Sequence, residues 1–147
     1  MKIAIGSDHA GFSLKEVIQK HLEEEGYEIA DKGTHDTASC HYPVYAKAVA
    51  DAVASGEEEL GILVCGTGIG MSMAANKVHG IRAAAVSDCF TAEATRKHNN
   101  ANILCIGERT VGPGLACKIA DIFLTTAFEG GRHQTRVDMM MALEDNK

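Results

Sequence analysis

Cys65 ends an apolar run, Gly61-Ile62-Leu63-Val64-Cys65, and the chain breaks at once into Gly66-Thr67-Gly68-Ile69-Gly70. A strand that delivers a thiol into bare backbone sets a base or nucleophile beside N–H groups. Glycines at alternate positions turn the chain tightly and aim those groups inward, a nest for a phosphate, a carboxylate or a developing oxyanion. Ser72 to Asn76 continue as helix, so the loop also sits at the positive end of a helix dipole, which favours an anion there. The competing reading is a buried cysteine before an ordinary glycine turn.

Other reactive groups fall at comparable places. Asp8-His9 follows the first apolar run, and an adjacent acid and imidazole supply proton transfer or an anion contact near neutral pH. An Asp in such a turn also serves as a backbone cap. His98-Asn99-Asn100 closes a helix that begins near Phe90, where the helix C-terminus stabilises a histidine cation and one of the two asparagines ends the helix in the left-handed conformation. Arg109 follows the fifth run. Arg132 and Arg136 lie four residues apart on one face of the last helix, with His133 between them, so two guanidinium forks can converge on one phosphate or pair with Glu129 and Asp138.

These residues need elements to hold them. Apolar runs recur at Lys2–Gly6, Tyr27–Ala30, Leu60–Cys65, Ile81–Val86 and Asn102–Gly107, alternating with helical or turn segments. Five such repeats predict an α/β domain with a five-stranded parallel sheet covered on both faces. Ligands of such sheets sit beyond the carboxyl ends of the strands, where the winding reverses. The first helix is marked by a Ser13/Glu16 capping box, an apolar stripe of Leu14, Val17, Ile18 and Leu22, and Gly26 as its stop. A second starts at Pro43 and ends by Gly56. A third spans Gly112–Phe128 on Leu115, Ile119, Ile122 and Phe123, and the last begins at Arg132. Glu23–Glu25 and Glu57–Glu59 read as solvated surface, and Met139 to Met141 as packing, against another subunit among the options.

With 147 residues and 46% hydrophobic content, residues 1–147 make one domain with a sizeable core. No run approaches a membrane span or a signal peptide, so the expectation is a cytoplasmic protein without membrane contact. Five cysteines, with no Cys-x-x-Cys pair, argue for reduced thiols, and Cys40, Cys89, Cys105 and Cys117 read as structural. A net charge of −6 argues against a nucleic-acid partner. The glycine loop also invites a nucleotide, yet Met71 stands where a dinucleotide fingerprint wants its last glycine, and neither loop ends in Gly-Lys-Ser/Thr.

Several motifs together, Gly6-Ser7-Asp8-His9-Ala10-Gly11, Asp31-Lys32-Gly33-Thr34, Tyr42-Pro43, Cys65 to Gly70, Ala74-Ala75-Asn76-Lys77, His98-Asn99 and Gly130-Gly131-Arg132-His133, resemble the ribose-5-phosphate isomerase B family over nearly the whole chain. The resemblance implies a Rossmann-like three-layer domain, a homodimer or tetramer with shared active sites, no metal and no organic cofactor. It implies interconversion of ribose 5-phosphate and ribulose 5-phosphate through an enediolate. Cys65 would be the thiolate base and the Gly66, Gly68 and Gly70 backbone the oxyanion hole. Thr67 would assist proton movement, and His98 with Asp8 would open the sugar ring. His9, Arg109, Arg132 and Arg136 would hold the phosphate and Asn99 the sugar. His41, where aspartate is usual, resembles one subunit type of the galactose-6-phosphate isomerases, so galactose 6-phosphate or allose 6-phosphate is the alternative substrate. A non-catalytic nucleotide-binding module is the alternative of another class.

Overall fold

The five apolar runs form the five strands of one parallel sheet in the computed structural model, which describes residues 1–146. In chain order the elements are β1 (Lys2–Ser7), α1 (Phe12–Glu24), β2 (Glu28–Asp31), α2 (Tyr42–Ala54), β3 (Leu60–Cys65), α3 (Ile69–Ala75), β4 (Ala83–Ala85), α4 (Cys89–Asn99), β5 (Ile103–Gly107), α5 (Pro113–Thr125) and α6 (Arg132–Ala142), with a 3₁₀ turn over Leu143–Asn146. The strand order is β2-β1-β3-β5-β4. The winding therefore reverses between β1 and β3, the strands that deliver Asp8 and Cys65.

β3 is buried along its whole length, because successive side chains feed two separate cores. Ile62 and Val64 join Ile3, Ile5, Leu104 and Ile106 under α1, α4 and α5, where Ile18, Leu22, Ala92, Ile119 and Phe123 pack. Leu63 and Cys65 join Ala4, Ile103 and Cys105 under α2 and α3, beside Val49, Val53, Met71 and Ala75. The sheet is thus the middle of three layers.

Local signals place most helix ends. Pro43 sits in the first turn of α2, the Asp88 carboxylate accepts the Thr91 N–H at 2.7 Å to start α4, and Asn100, at φ 47°, is the asparagine that ends it. The start of α1 departs from expectation. Gly11 occupies the N-cap position, and no side chain caps it locally. The Leu14 N–H instead donates to Glu108 Oε1 at 2.6 Å, a partner from the end of β5. Ser13 thus lies inside the helix, so the capping box is not made. Val17 and Leu115, read as core stripe, are 41% and 43% exposed, while Glu58, read as surface, is buried against Lys32 at 3.7 Å.

A lysine holds the turn after β2. Lys15 is fully buried, and its ammonium donates to both carboxylate oxygens of Asp31 at 2.8 Å and to the Thr34 carbonyl at 2.7 Å. That turn is pinned to the end of β1, since the Ser7 N–H donates to Gly33 O and the Thr34 N–H to Ser7 O, each at 2.8 Å. Asp8 and His9 leave β1 from this fixed point. No helix among the described residues is long and apolar enough to cross a membrane.

Candidate active site

Eight of the site residues read from sequence, Asp8, His9, Cys65, Gly66, Thr67, Gly68, Gly70 and Arg109, gather beyond the carboxyl ends of β1, β3 and β5. The Asp8 N–H donates to Val64 O at 3.3 Å, which sets Asp8 beside the end of β3. Its carboxylate is largely buried and accepts the Gly11 N–H at 3.0 Å, so it serves as a turn cap with one oxygen. Next to it, His9 Nδ1 accepts the Cys40 N–H at 3.2 Å, which leaves Nε2 to carry the ring proton outward. Cys40, read as merely structural, therefore orients a site residue. On β5, the Glu108 and Arg109 N–H groups donate to Cys65 O and Gly66 O at 2.9 and 3.0 Å. The Arg109 guanidinium lies over Gly66, 3.3 Å from where a Cβ would stand.

The cysteine loop is shorter than its glycines suggest. α3 begins at Ile69, so Gly70 belongs to its first turn. Gly68 supplies the bend, at φ +80°, and the Gly70 position is packed under the Tyr42 ring, 2.8 Å from where a Cβ would stand. Within the loop, the Gly68 N–H donates to Cys65 Sγ at 3.1 Å and the Ile69 N–H to Thr67 Oγ1 at 3.3 Å. The sulfur is therefore addressed by a backbone donor. Cys65 retains 6% exposure, whereas Cys105 on the neighbouring strand has none. Burial, and next the proximity of Cys65, pushes the Cys105 thiol well up, so it stays protonated at neutral pH.

The remaining site residues lie elsewhere. α4 starts past the carboxyl end of β4 and runs back against the strands, so His98 and Asn99 end beside Ala101 and Asn102, at the amino end of β5. Gly61 pairs with Ile103 there, and Cys65 is four residues further along β3, about 13 Å away in strand rise. The two groups also lie on opposite faces, because α4 packs with α5 and Cys65 faces α2 and α3. A single chain does not unite Cys65 with His98, which closes α4 as the sequence predicted.

α6 packs on α4 and adds Arg132, His133 and Arg136 to this second group. The His133 ring stacks on His98, centroids 4.4 Å apart and planes 19° apart. A cavity of about 330 Å³ is lined by His98, Asn99, His133, Arg136, Val137 and Met140. Burial, then the neighbouring His98 and Arg132, hold His133 below the usual histidine value. Among the described residues, the guanidinium groups of Arg109, Arg132 and Arg136 have no hydrogen bond or ion pair, and Asp138 is taken by Gln134 at 2.7 Å. By contrast, Arg82 and Arg96 spend theirs on backbone carbonyls. Three uncommitted guanidinium groups in an acidic protein suit an anionic ligand.

Among the described residues, two sets of side chains bring potential metal ligands within 4.8 Å of one another: His98, Glu129 and His133, and His21, Glu25 and Asp121. In the first, ring planes only 19° apart do not aim their nitrogen lone pairs at one point. In the second, His21 Nε2 lies 2.9 and 3.0 Å from the two Asp121 oxygens, which joins α1 to α5 directly.

The Ribose/Galactose Isomerase family model matches residues 3–140. The chain is 51% identical over 146 residues to ribose-5-phosphate isomerase B of Escherichia coli, covering 99% of this chain and 98% of that one. It superposes on ribose-5-phosphate isomerase B of Clostridium thermocellum with a TM-score of 0.98 at 51% identity, over 99% of each chain. For the Mycoplasma genitalium enzyme solved with bound ribulose 5-phosphate the TM-score is 0.95 at 44% identity, over 99% and 97% of the two chains. With the same fold and near-complete coverage on both sides, the chain belongs to the ribose/galactose isomerase family.

Proposed function

We propose that this chain interconverts ribose 5-phosphate and ribulose 5-phosphate, as a cytosolic homo-oligomer whose sites each draw one half from one protomer and the other half from its partner. One observation carries the shared-site reading: the thiol with its backbone donors and the imidazole with its free arginines lie at opposite ends of one sheet. Each half is chemically incomplete. A dimer or tetramer that apposes unlike ends joins them, with α6 from Arg132 onward serving both phosphate binding and subunit contact.

In this reading His98, paired across the interface with Asp8, moves the proton that opens the furanose. The Cys65 thiolate removes the C2 proton of the open-chain aldose, leaving an enediolate whose negative oxygen is held by N–H groups of the Gly66–Gly70 segment. Such donors are worth roughly 3 kcal/mol each at the transition state. Thr67 helps transfer the hydroxyl proton from O2 to O1, and Cys65 returns its proton to C1, so no proton is gained or lost. His9, Arg109, Arg132 and Arg136 hold the phosphate, and Asn99 contacts the sugar. A 1,2-proton shift of this kind asks only for a base and oxyanion donors.

The test is a coupled isomerisation assay on ribose 5-phosphate, allose 6-phosphate and galactose 6-phosphate, for wild type and Cys65→Ala. Turnover of the pentose that Cys65→Ala abolishes supports substrate and base together. Preference for a hexose keeps the mechanism and changes the substrate, and no turnover of any sugar sends the loop back to simple anion binding.

A further inference from the structure

Nothing among the described residues hydrogen-bonds the His98 ring. It is exposed at the last turn of α4, and among the described residues it has neither a hydrogen bond nor an ion pair. An imidazole on a free side chain samples several rotamers, and a group that must reach a ring oxygen loses rate when it wanders. The ring stacks on the flat face of His133.

His133 is placed to be a fixed surface. It is only 8% exposed, near the start of α6, where its N–H donates to Gly130 O at 3.0 Å. The groups around the pair are Lys97 and Glu93 on α4, Arg132 and Arg136 on α6, and Glu129 in the preceding turn, with Glu129 Oε2 3.7 Å from His133 Nε2. Burial, then the stacked His98 ring 4.4 Å away and Arg132, hold His133 below the usual histidine value.

We infer that His133 is a positioning residue for ring opening: its stacked face fixes the plane of His98 without itself touching the sugar. This rests on the reading of His98 given above. It differs from a direct role for the imidazole, because a flat apolar ring of similar size should replace it.

The experiment compares His98→Asn, His133→Ala and His133→Phe in the full-length protein, with two readouts. One is isomerisation of ribose 5-phosphate. The other is deuterium exchange from solvent into C1 of ribulose 5-phosphate, followed by NMR. That ketose carries its phosphate on O5 and is open-chain, so exchange needs the thiolate and not the ring-opening step. His98→Asn should lose about 100-fold or more in isomerisation and keep the exchange. His133→Ala should follow it, losing roughly 10- to 100-fold in kcat with little change in KM and with exchange retained. His133→Phe, which preserves an aromatic stack, should come back to within about threefold of wild type.

His133→Ala isomerising like wild type while His98→Asn does not overturns the positioning role alone. His133→Phe as slow as His133→Ala overturns it in favour of a direct role for the imidazole, and loss of exchange in both His133 variants overturns it in favour of a general structural role. His98→Asn isomerising normally removes the reading of His98, and this inference with it.

Discussion

The Lys15 ammonium lies 2.8 Å from both carboxylate oxygens of Asp31 and is fully buried. The pair fixes the turn that is zipped to Ser7, one residue before Asp8. Lys15→Met should leave Asp31 without its cation and cost about 3 kcal/mol in denaturant unfolding. Removing both charges in Lys15→Met/Asp31→Leu should cost distinctly less. Equal losses for the single and double variants would show that packing, not charge pairing, carries the site.

Cys65 and Cys105 give an internal control for reactivity. Both lie on one face of the sheet, but Cys105 has no exposure and a thiol pushed up by burial. Iodoacetamide near pH 8 should therefore alkylate Cys65, leave Cys105 untouched in peptide mapping, and inactivate the enzyme. Ribose 5-phosphate should protect. Inactivation without modification of Cys65 would move the base elsewhere.

Arg136 lines the His98 cavity and spends no hydrogen bond within the chain. If it meets the phosphate, Arg136→Ala should raise KM about tenfold, the worth of one charged hydrogen bond, and change kcat much less. An unchanged KM removes it from the phosphate site.

Asp88 starts α4 by accepting the Thr91 N–H at 2.7 Å and the Thr91 hydroxyl at 2.9 Å. These bonds, the backbone one first, hold its carboxyl below the usual value. A depressed carboxylate stabilises the fold fully above its unfolded pKa of about 3.9, and that contribution is lost as pH falls through the lower folded value. The Tm deficit of Asp88→Ala should thus be full at pH 7 and shrink below about pH 4. A deficit independent of pH would trace the loss to something other than the ionised cap.

Local periodicity made the strands and most helices legible, because each is decided by residues a few positions apart. What escaped is non-local. The N-terminus of α1 is satisfied by Glu108, 94 residues away, so the Ser13/Glu16 pattern had a competitor that local sequence cannot reveal. Glu58 looked like one of three surface glutamates, yet the turn before β3 folds it against Lys32. At the site, the thiol, its glycines and Asp8-His9 were legible since they follow strands directly. His98 was legible as the end of its helix, but not its distance from Cys65, because a helix returning across the sheet carries its last turn to the opposite end. His133 was visible only as a residue between two arginines, since a stack between α4 and α6 leaves no mark on spacing.

If the site is shared as proposed, the separation of Cys65 from His98 across one sheet makes competence a property of the pair and not of the chain. Two variants, one damaged only in the thiol half and one only in the imidazole half, would each be inactive alone. Mixed and allowed to exchange subunits, they would assemble hybrids that hold one sound site and one doubly damaged one. With random pairing about half the dimers are hybrids with one working site of two, so roughly a quarter of wild-type activity returns. In a cell with two allelic copies, each could mask the other's defect.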